Sequence, residues 1–233
     1  MQRLLGALRR ADERYHLIQA GDTIAVGLSG GKDSLALLML LSAYRQFSPR
    51  PFSLHAFTIK LGDPFDTAPL AALCREIAVP LTVEDIHLLP ALEKEKNPCA
   101  LCARLRRGYL CRLAGEAGCN KLALGHHRED DLETYLMSGL AEGRFHQLQP
   151  VSHMDQAGIT LIRPLLDMKE AALSDLCRRY GWPVIKNPCP VDGKTTRQEM
   201  KALLSALEKR RPGALDQLSR ALMRQRKEDP HEA

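Results

Sequence analysis

No apolar run in the sequence is long enough to cross a bilayer, which excludes a helical membrane protein. Met1-Gln2-Arg3 leads into a charged amphipathic segment, not a signal peptide, so the expectation is a cytoplasmic protein with no membrane partner. There is no internal repeat, low-complexity tract or long linker. A second Cys-x-x-Cys is missing, as is a closely spaced His pair that would complete a zinc site. The seven cysteines are an odd number without an export signal, which argues against a disulfide framework and for a metal centre or reactive thiols. Neither sign of charge dominates: 33 Lys and Arg stand against 28 Asp and Glu, a formal net charge of +5. What remains, 233 residues with 45% hydrophobic and 26% charged, suits one good core with room for a small appended unit.

The basic residues are clustered. They gather at Arg3, Arg9, Arg10 and Arg14, at Arg104, Arg106, Arg107 and Arg112, and in a tail running from Lys209 to Lys227. Such clusters suit a polyanion such as RNA. Glu208, Asp216 and Glu228 interleave in the tail, so a plainly solvated helix face fits there as well.

The richest stretch is Ser29-Gly30-Gly31-Lys32-Asp33-Ser34, set directly after the apolar run Thr23–Leu28 and before Leu35–Leu41. That pattern reads as strand, tight turn and helix. The start of a helix leaves N–H groups unpaired, and with Lys32 and two hydroxyls they make a phosphate-sized anion site. It is not a Walker A loop, because Lys32 is followed by Asp33 and only three residues separate Gly27 from Gly31. Instead, Ser-Gly-Gly-Lys-Asp-Ser resembles the pyrophosphate loop of the N-type ATP pyrophosphatases. That resemblance implies ATP as substrate, adenylation of an oxygen, and release of pyrophosphate and AMP.

Elsewhere β and α segments alternate. Strands are expected at 23–28, 52–59, 81–83, 121–124 and 159–162. Helices are expected at 2–18, 33–45, 68–77, 100–117, 130–141 and 168–180, with a helical remainder from Thr195 broken at Pro212-Gly213. The fold class is therefore α/β, with a parallel sheet, helices on both faces and a ligand crevice at the carboxyl ends of the strands. Ser29, Thr58 and Gly125 would converge there. Three parts are expected: an N-terminal helix (1–20), the nucleotide domain with an inserted Cys-x-x-Cys segment (21–192), and C-terminal helices (193–233).

Cys99 and Cys102 form that Cys-x-x-Cys at a loop-to-helix junction, and Cys189 lies between two prolines far downstream. A lone pair of this kind serves zinc, iron–sulfur clusters or dithiol chemistry equally well. Cys74, Cys111, Cys119 and Cys177 fall at apolar-periodic positions and read as buried side chains. The run Cys99–Gly108, followed by Leu122-Ala123-Leu124-Gly125-His126-His127-Arg128-Glu129-Asp130, Ile162-Arg163-Pro164-Leu165 and Cys189, resembles the tRNA 2-thiocytidine synthetase family. Glu129 stands where relatives usually carry the first of two Asp residues.

The resemblance implies a Rossmann-like PP-loop ATPase domain of the adenine nucleotide alpha hydrolase type, acting as an ATP-dependent tRNA sulfurtransferase. It implies a [4Fe-4S] cluster held by Cys99, Cys102 and Cys189, with zinc as the alternative if His126 or His127 supplied a fourth ligand. Ser29, Gly30, Gly31, Lys32, Asp33 and Ser34 would grip pyrophosphate. Asp33 and Asp130 would serve Mg2+, and Ile59, Arg106, Gly125 and His126 would complete the nucleotide site. Gly125 is expected to let the backbone approach the nucleotide. Expected partners are tRNA, a cysteine desulfurase or other sulfur donor, and a second copy in a homodimer. Rival readings are a thiolase for 2-thiouridine or another substrate, and a non-catalytic nucleotide- or RNA-binding module.

Overall fold

A computed structural model describes residues 1–61, 65–86, 98–154, 157–185 and 196–228. Cys189 lies outside the described residues. The described elements run α1 (Gln2–Tyr15), β1 (Thr23–Gly27), α2 (Lys32–Arg45), β2 (Ser53–Lys60), α3 (Ala68–Glu76), β3 (Leu81–Asp85), α4 (Pro98–Glu116), β4 (Lys121–Ala123), α5 (Arg128–Glu142), β5 (Val151–Met154), β6 (Ile159–Ile162), α6 (Glu170–Tyr180), α7 (Thr196–Arg210) and α8 (Ala214–Glu228).

The six strands form one sheet in the order β3-β2-β1-β4-β6-β5. Five are parallel, and β1 pairs with β2 on one side and β4 on the other. The order reverses between β1 and β4, and at such a switch point a doubly wound sheet leaves a crevice at its carboxyl edge. One strand was not legible beforehand. β5 pairs antiparallel with β6, Val151 opposite Ile162, and closes the sheet edge. Its four residues are partly exposed and carry no continuous apolar run, so tertiary pairing and not local pattern makes it a strand.

Alternation along the central strands builds a core on each face. Ile24 and Val26 pack with Leu37, Leu40 and Leu41 of α2, while Ala25, between them, packs with Phe57, Cys111 and Leu122 beneath α4. A smaller cluster of Leu132, Leu204 and Leu222 joins α5 to the two C-terminal helices. Cys74, Cys111, Cys119 and Cys177 are buried, as their spacing suggests.

Two buried polar networks fix the frame. Asp12 of α1 is fully buried and accepts from Ile18 N–H at 2.9 Å, Tyr44 Oη at 2.8 Å and Arg50 Nη2 at 2.6 Å, tying α1 to α2 and to the chain before β2. Asp22 accepts from Gln19 N–H at 2.6 Å and Asn120 Nδ2 at 2.7 Å, with Lys121 Nζ at 2.7 Å. Burial works against the charge on Asp22, yet these hydrogen bonds hold its pKa below the usual carboxylate value. Among the described residues no helix is long and apolar enough to cross a membrane.

Candidate active site

The loop after β1 is built by its own small side chains. Ser34 Oγ accepts from Ser29 N–H at 3.2 Å and donates to Gly31 O at 2.9 Å, closing a ring around the two glycines. Gly30 has φ +80°, and a Cβ there would meet Phe65 Cζ at 3.0 Å, so both conformation and space call for glycine. Gly31 is the N-cap of α2 with no side-chain cap hydrogen bond, which leaves the first-turn N–H groups available to an anion. Thr58 Oγ1 donates to Leu28 O at 2.8 Å and anchors the entry to the loop.

A cleft of about 330 Å³ opens over this loop. It gathers Ser29, Asp33, Ser34, Ile59, Arg106, Gly125 and His126 from four separate segments, and adds Phe57 and Arg107. The volume falls within the range of small-ligand sites. Gly125 does permit a close approach, but to protein: a Cβ there would lie 3.0 Å from the backbone carbon and oxygen of Asp33. Its smallness lets the end of β4 lie against the first turn of α2.

Lys32, Gly30 and Gly31 are not in the cleft wall. Lys32 Nζ instead bridges Asp33 at 2.7 Å and Glu170 of α6 at 2.9 Å. Burial opposes its charge, and the hydrogen bonds to Asp33 and Glu170 more than offset this, so its pKa is raised. Asp130 also sits outside the wall. Its carboxylate accepts from His127 N–H at 3.0 Å and Arg197 Nη1 at 2.9 Å.

The two histidines separate by environment. His127 caps α5, and its Nε2 stands between Asp33 at 3.8 Å and Asp130 at 3.5 Å. As a neutral ring its Nδ1 accepts from Asp130 N–H at 3.4 Å; protonated, that nitrogen faces Glu129 Oε2 at 3.4 Å. Burial lowers its pKa, but Glu129, Asp130 and Asp33 raise it further. His126 faces the cleft. Burial first, then the positive charge of Arg163, pushes its pKa down to about 4, so the ring is neutral at physiological pH, and its buried Nδ1 has no hydrogen-bond partner.

Cys99 and Cys102 occupy the first turn of α4, both partly exposed, three residues apart and hence on one helix face. Arg106, one turn on, reaches the cleft. Neither sulfur is in the cleft wall, which this helix joins from Ala103 onward, but soft sulfur ligands of this kind suit an iron–sulfur cluster. Among the described residues no group of three or more Cys, His, Asp or Glu forms a metal site.

Sequence reasoning passed over Glu170, Arg107 and Arg197 as site residues, and quoted Arg163 only within a motif. Glu170 and Arg197 act through ion pairs between segments remote in sequence, which leave no local signal. Arg163 is buried, donates to Gln149 O and to Ser152 Oγ at 3.1 Å, and has a pKa pushed down to about 10 by burial and by Arg107.

Residues 7–211 match the sequence model of a PP-loop domain. The tRNA-cytidine(32) 2-sulfurtransferase of Geobacter metallireducens is 39% identical over 228 residues, covering 95% of this chain and 89% of that protein. The chain belongs to the tRNA-cytidine(32) 2-sulfurtransferase family of PP-loop proteins. Its Geobacter sulfurreducens relative is 38% identical with the same coverage. Among solved structures, the U34-tRNA thiolase of Methanococcus maripaludis, with its [4Fe-4S] cluster, superposes with a TM-score of 0.77 at 25% identity, covering 94% of this chain and 77% of that one. The NH3-dependent NAD synthetase of Campylobacter jejuni, at 14% identity and a TM-score of 0.52, shares the fold.

Proposed function

We propose that this 2-sulfurtransferase family member adenylates the C2 oxygen of a cytidine in tRNA and exchanges that oxygen for sulfur. The observation that carries this reading is the opening of one cleft onto both the Ser29–Ser34 loop and the Cys99–Cys102 helix. In the first step the C2 oxygen attacks the α-phosphorus of ATP, and the α–β anhydride bond breaks to release pyrophosphate. A sulfur nucleophile then adds at C2, and AMP leaves with the former oxygen.

The N–H groups at the start of α2, with Ser29 and Ser34, would hold pyrophosphate and offset its charge as it departs. Lys32 would swing from Glu170 and Asp33 to the same group. Ile59 and Phe57 offer an apolar wall for the adenine. Arg106 and Arg107, on α4, face the remaining phosphate. Asp33 and Asp130 are the choice for Mg2+, since hard carboxylate oxygens suit that ion. Cys99 and Cys102, with Cys189, would hold a [4Fe-4S] cluster, which when bound supplies an iron free of protein ligands for sulfide. A cysteine desulfurase is the expected upstream sulfur source.

The test is reconstitution under anaerobic conditions with ATP, sulfide and an unmodified tRNA transcript, followed by nucleoside mass spectrometry. Formation of 2-thiocytidine together with AMP is expected. AMP with 2-thiouridine instead would move the assignment to another nucleoside, and no AMP at all would overturn it.

A further inference from the structure

We propose that the groove between α1 and α6 is the docking surface for the phosphate backbone of the RNA substrate. The inference rests on the reading above, that the substrate is an RNA, and adds where the RNA lies. The groove has a volume of about 770 Å³, with Leu4 and Leu176 on its floor and Arg3, Arg10 and Arg179 on its walls. Its two carboxylate neighbours, exposed Asp175 and half-buried Asp167, already pair with other arginines. Asp175 pairs with Arg178 at 3.0 Å, and Asp167 lies 3.5 Å from Arg14 and 3.9 Å from Arg226. Among the described residues, no carboxylate lies within ion-pair distance of Arg3, Arg10 or Arg179, and all three side chains are exposed. A wall of unpaired arginines is a site for phosphate oxygens.

Stacked aromatics favour a nucleic acid over an acidic protein. Tyr180 follows Arg179 directly, stacks on Trp182 with ring centroids 5.4 Å apart, and is 49% exposed. An exposed aromatic face beside arginines is how proteins hold unpaired RNA bases. The helix α6, which walls the groove, also contacts the pyrophosphate loop. At one end of α6, Glu170 grips Lys32 of the loop at 2.9 Å. Beyond the other end, Ile185 N–H donates to Gly30 O at 2.9 Å. The helix that forms one wall of the groove is thus tied to the pyrophosphate loop at both ends.

The experiment measures binding of an unmodified tRNA transcript to the full-length, anaerobically purified protein across a salt series. The R3A/R10A/R179A variant should bind more weakly, and its log–log salt slope should fall by about two to three, near one per phosphate contact removed. ATP affinity should be unchanged, because none of the three touches the cleft. Tyr180→Ala should weaken binding about tenfold while leaving the salt slope intact, the signature of lost stacking. The K209A/R210A/R211A variant tests the rival basic tail. Wild-type affinity and slope in the first variant, with losses in the tail variant, would overturn the proposal. So would a groove that serves an acidic protein, since tRNA binding would then be untouched. A wild-type protein that binds no tRNA at all would instead remove the functional reading beneath it.

Discussion

At the scale of single residues, the site depends on one atom-sized allowance and one unpartnered ring. The wall against Gly125 is backbone, and backbone at 3.0 Å cannot move aside as a flexible side chain does. Gly125→Ala should therefore push the start of α2 away from β4. A cost of about 1–3 kcal/mol in urea unfolding is expected, together with loss of ATP binding. Gly108→Ala on α4 meets nothing within 4 Å and should gain a few tenths of a kcal/mol up to about 1. Equal effects of the two substitutions would refute the contact argument. His126 makes a pH prediction. Unfolded, the ring takes up its proton near pH 6.5; folded, it resists until about 4. Between those values the unfolded chain binds more protons, so stability is intact above about 6.5 and declines as pH falls toward 4. His126→Gln should flatten that part of the profile in denaturant unfolding, and an unchanged slope would refute it. The two histidines were indistinguishable in the sequence because they are adjacent. Only the helix start at Arg128 decides which becomes a cap and which faces the cleft.

At the scale of elements, most of the architecture was legible because apolar periodicity and turn residues mark it. What was not legible is held by long-range charge. Arg226 of α8 is buried between Asp131 of α5 and Asp167, with side chains only 4% and 6% exposed for the pair with Asp131. Arg128, at the start of α5, reaches Asp216 of α8, which also holds Lys169 at 2.8 Å. Glu129 accepts from Glu170 N–H at 2.8 Å and joins α5 to α6. No window of sequence shows such pairs. Their buried member gives a sharp test. Arg226→Met strands Asp131 without its partner and should cost about 3–5 kcal/mol, a fall in Tm of ~6–20 °C. Adding Asp131→Asn should recover much of that loss, since the buried charge is then gone. A double variant as unstable as the single one would mean that packing of the Arg226 stem, and not charge, docks α8.

At the scale of the whole molecule, the cleft has two origins. Its phosphate end belongs to β1 and α2, locked into the larger core and braced by Ser29, Ser34 and Thr58. Its cationic end belongs to α4, packed on the opposite face of the sheet over Phe57 and Leu122. The Cys99–Cys102 turn is carried by the second origin only. The two functions should therefore come apart under mutation. Cys102→Ser leaves the loop, the helix start and the buried frame in place, while removing a soft ligand that a serine hydroxyl replaces poorly. Anaerobically purified wild type should carry about four irons and four sulfides and absorb in the visible. The variant should lose both, and with them sulfur transfer, yet still bind ATP. Loss of ATP binding along with iron would mean that the cluster segment organises the whole cleft. A colourless wild type holding one zinc would instead assign the thiols to a structural metal and leave adenylation as the chemistry that the sheet itself supports.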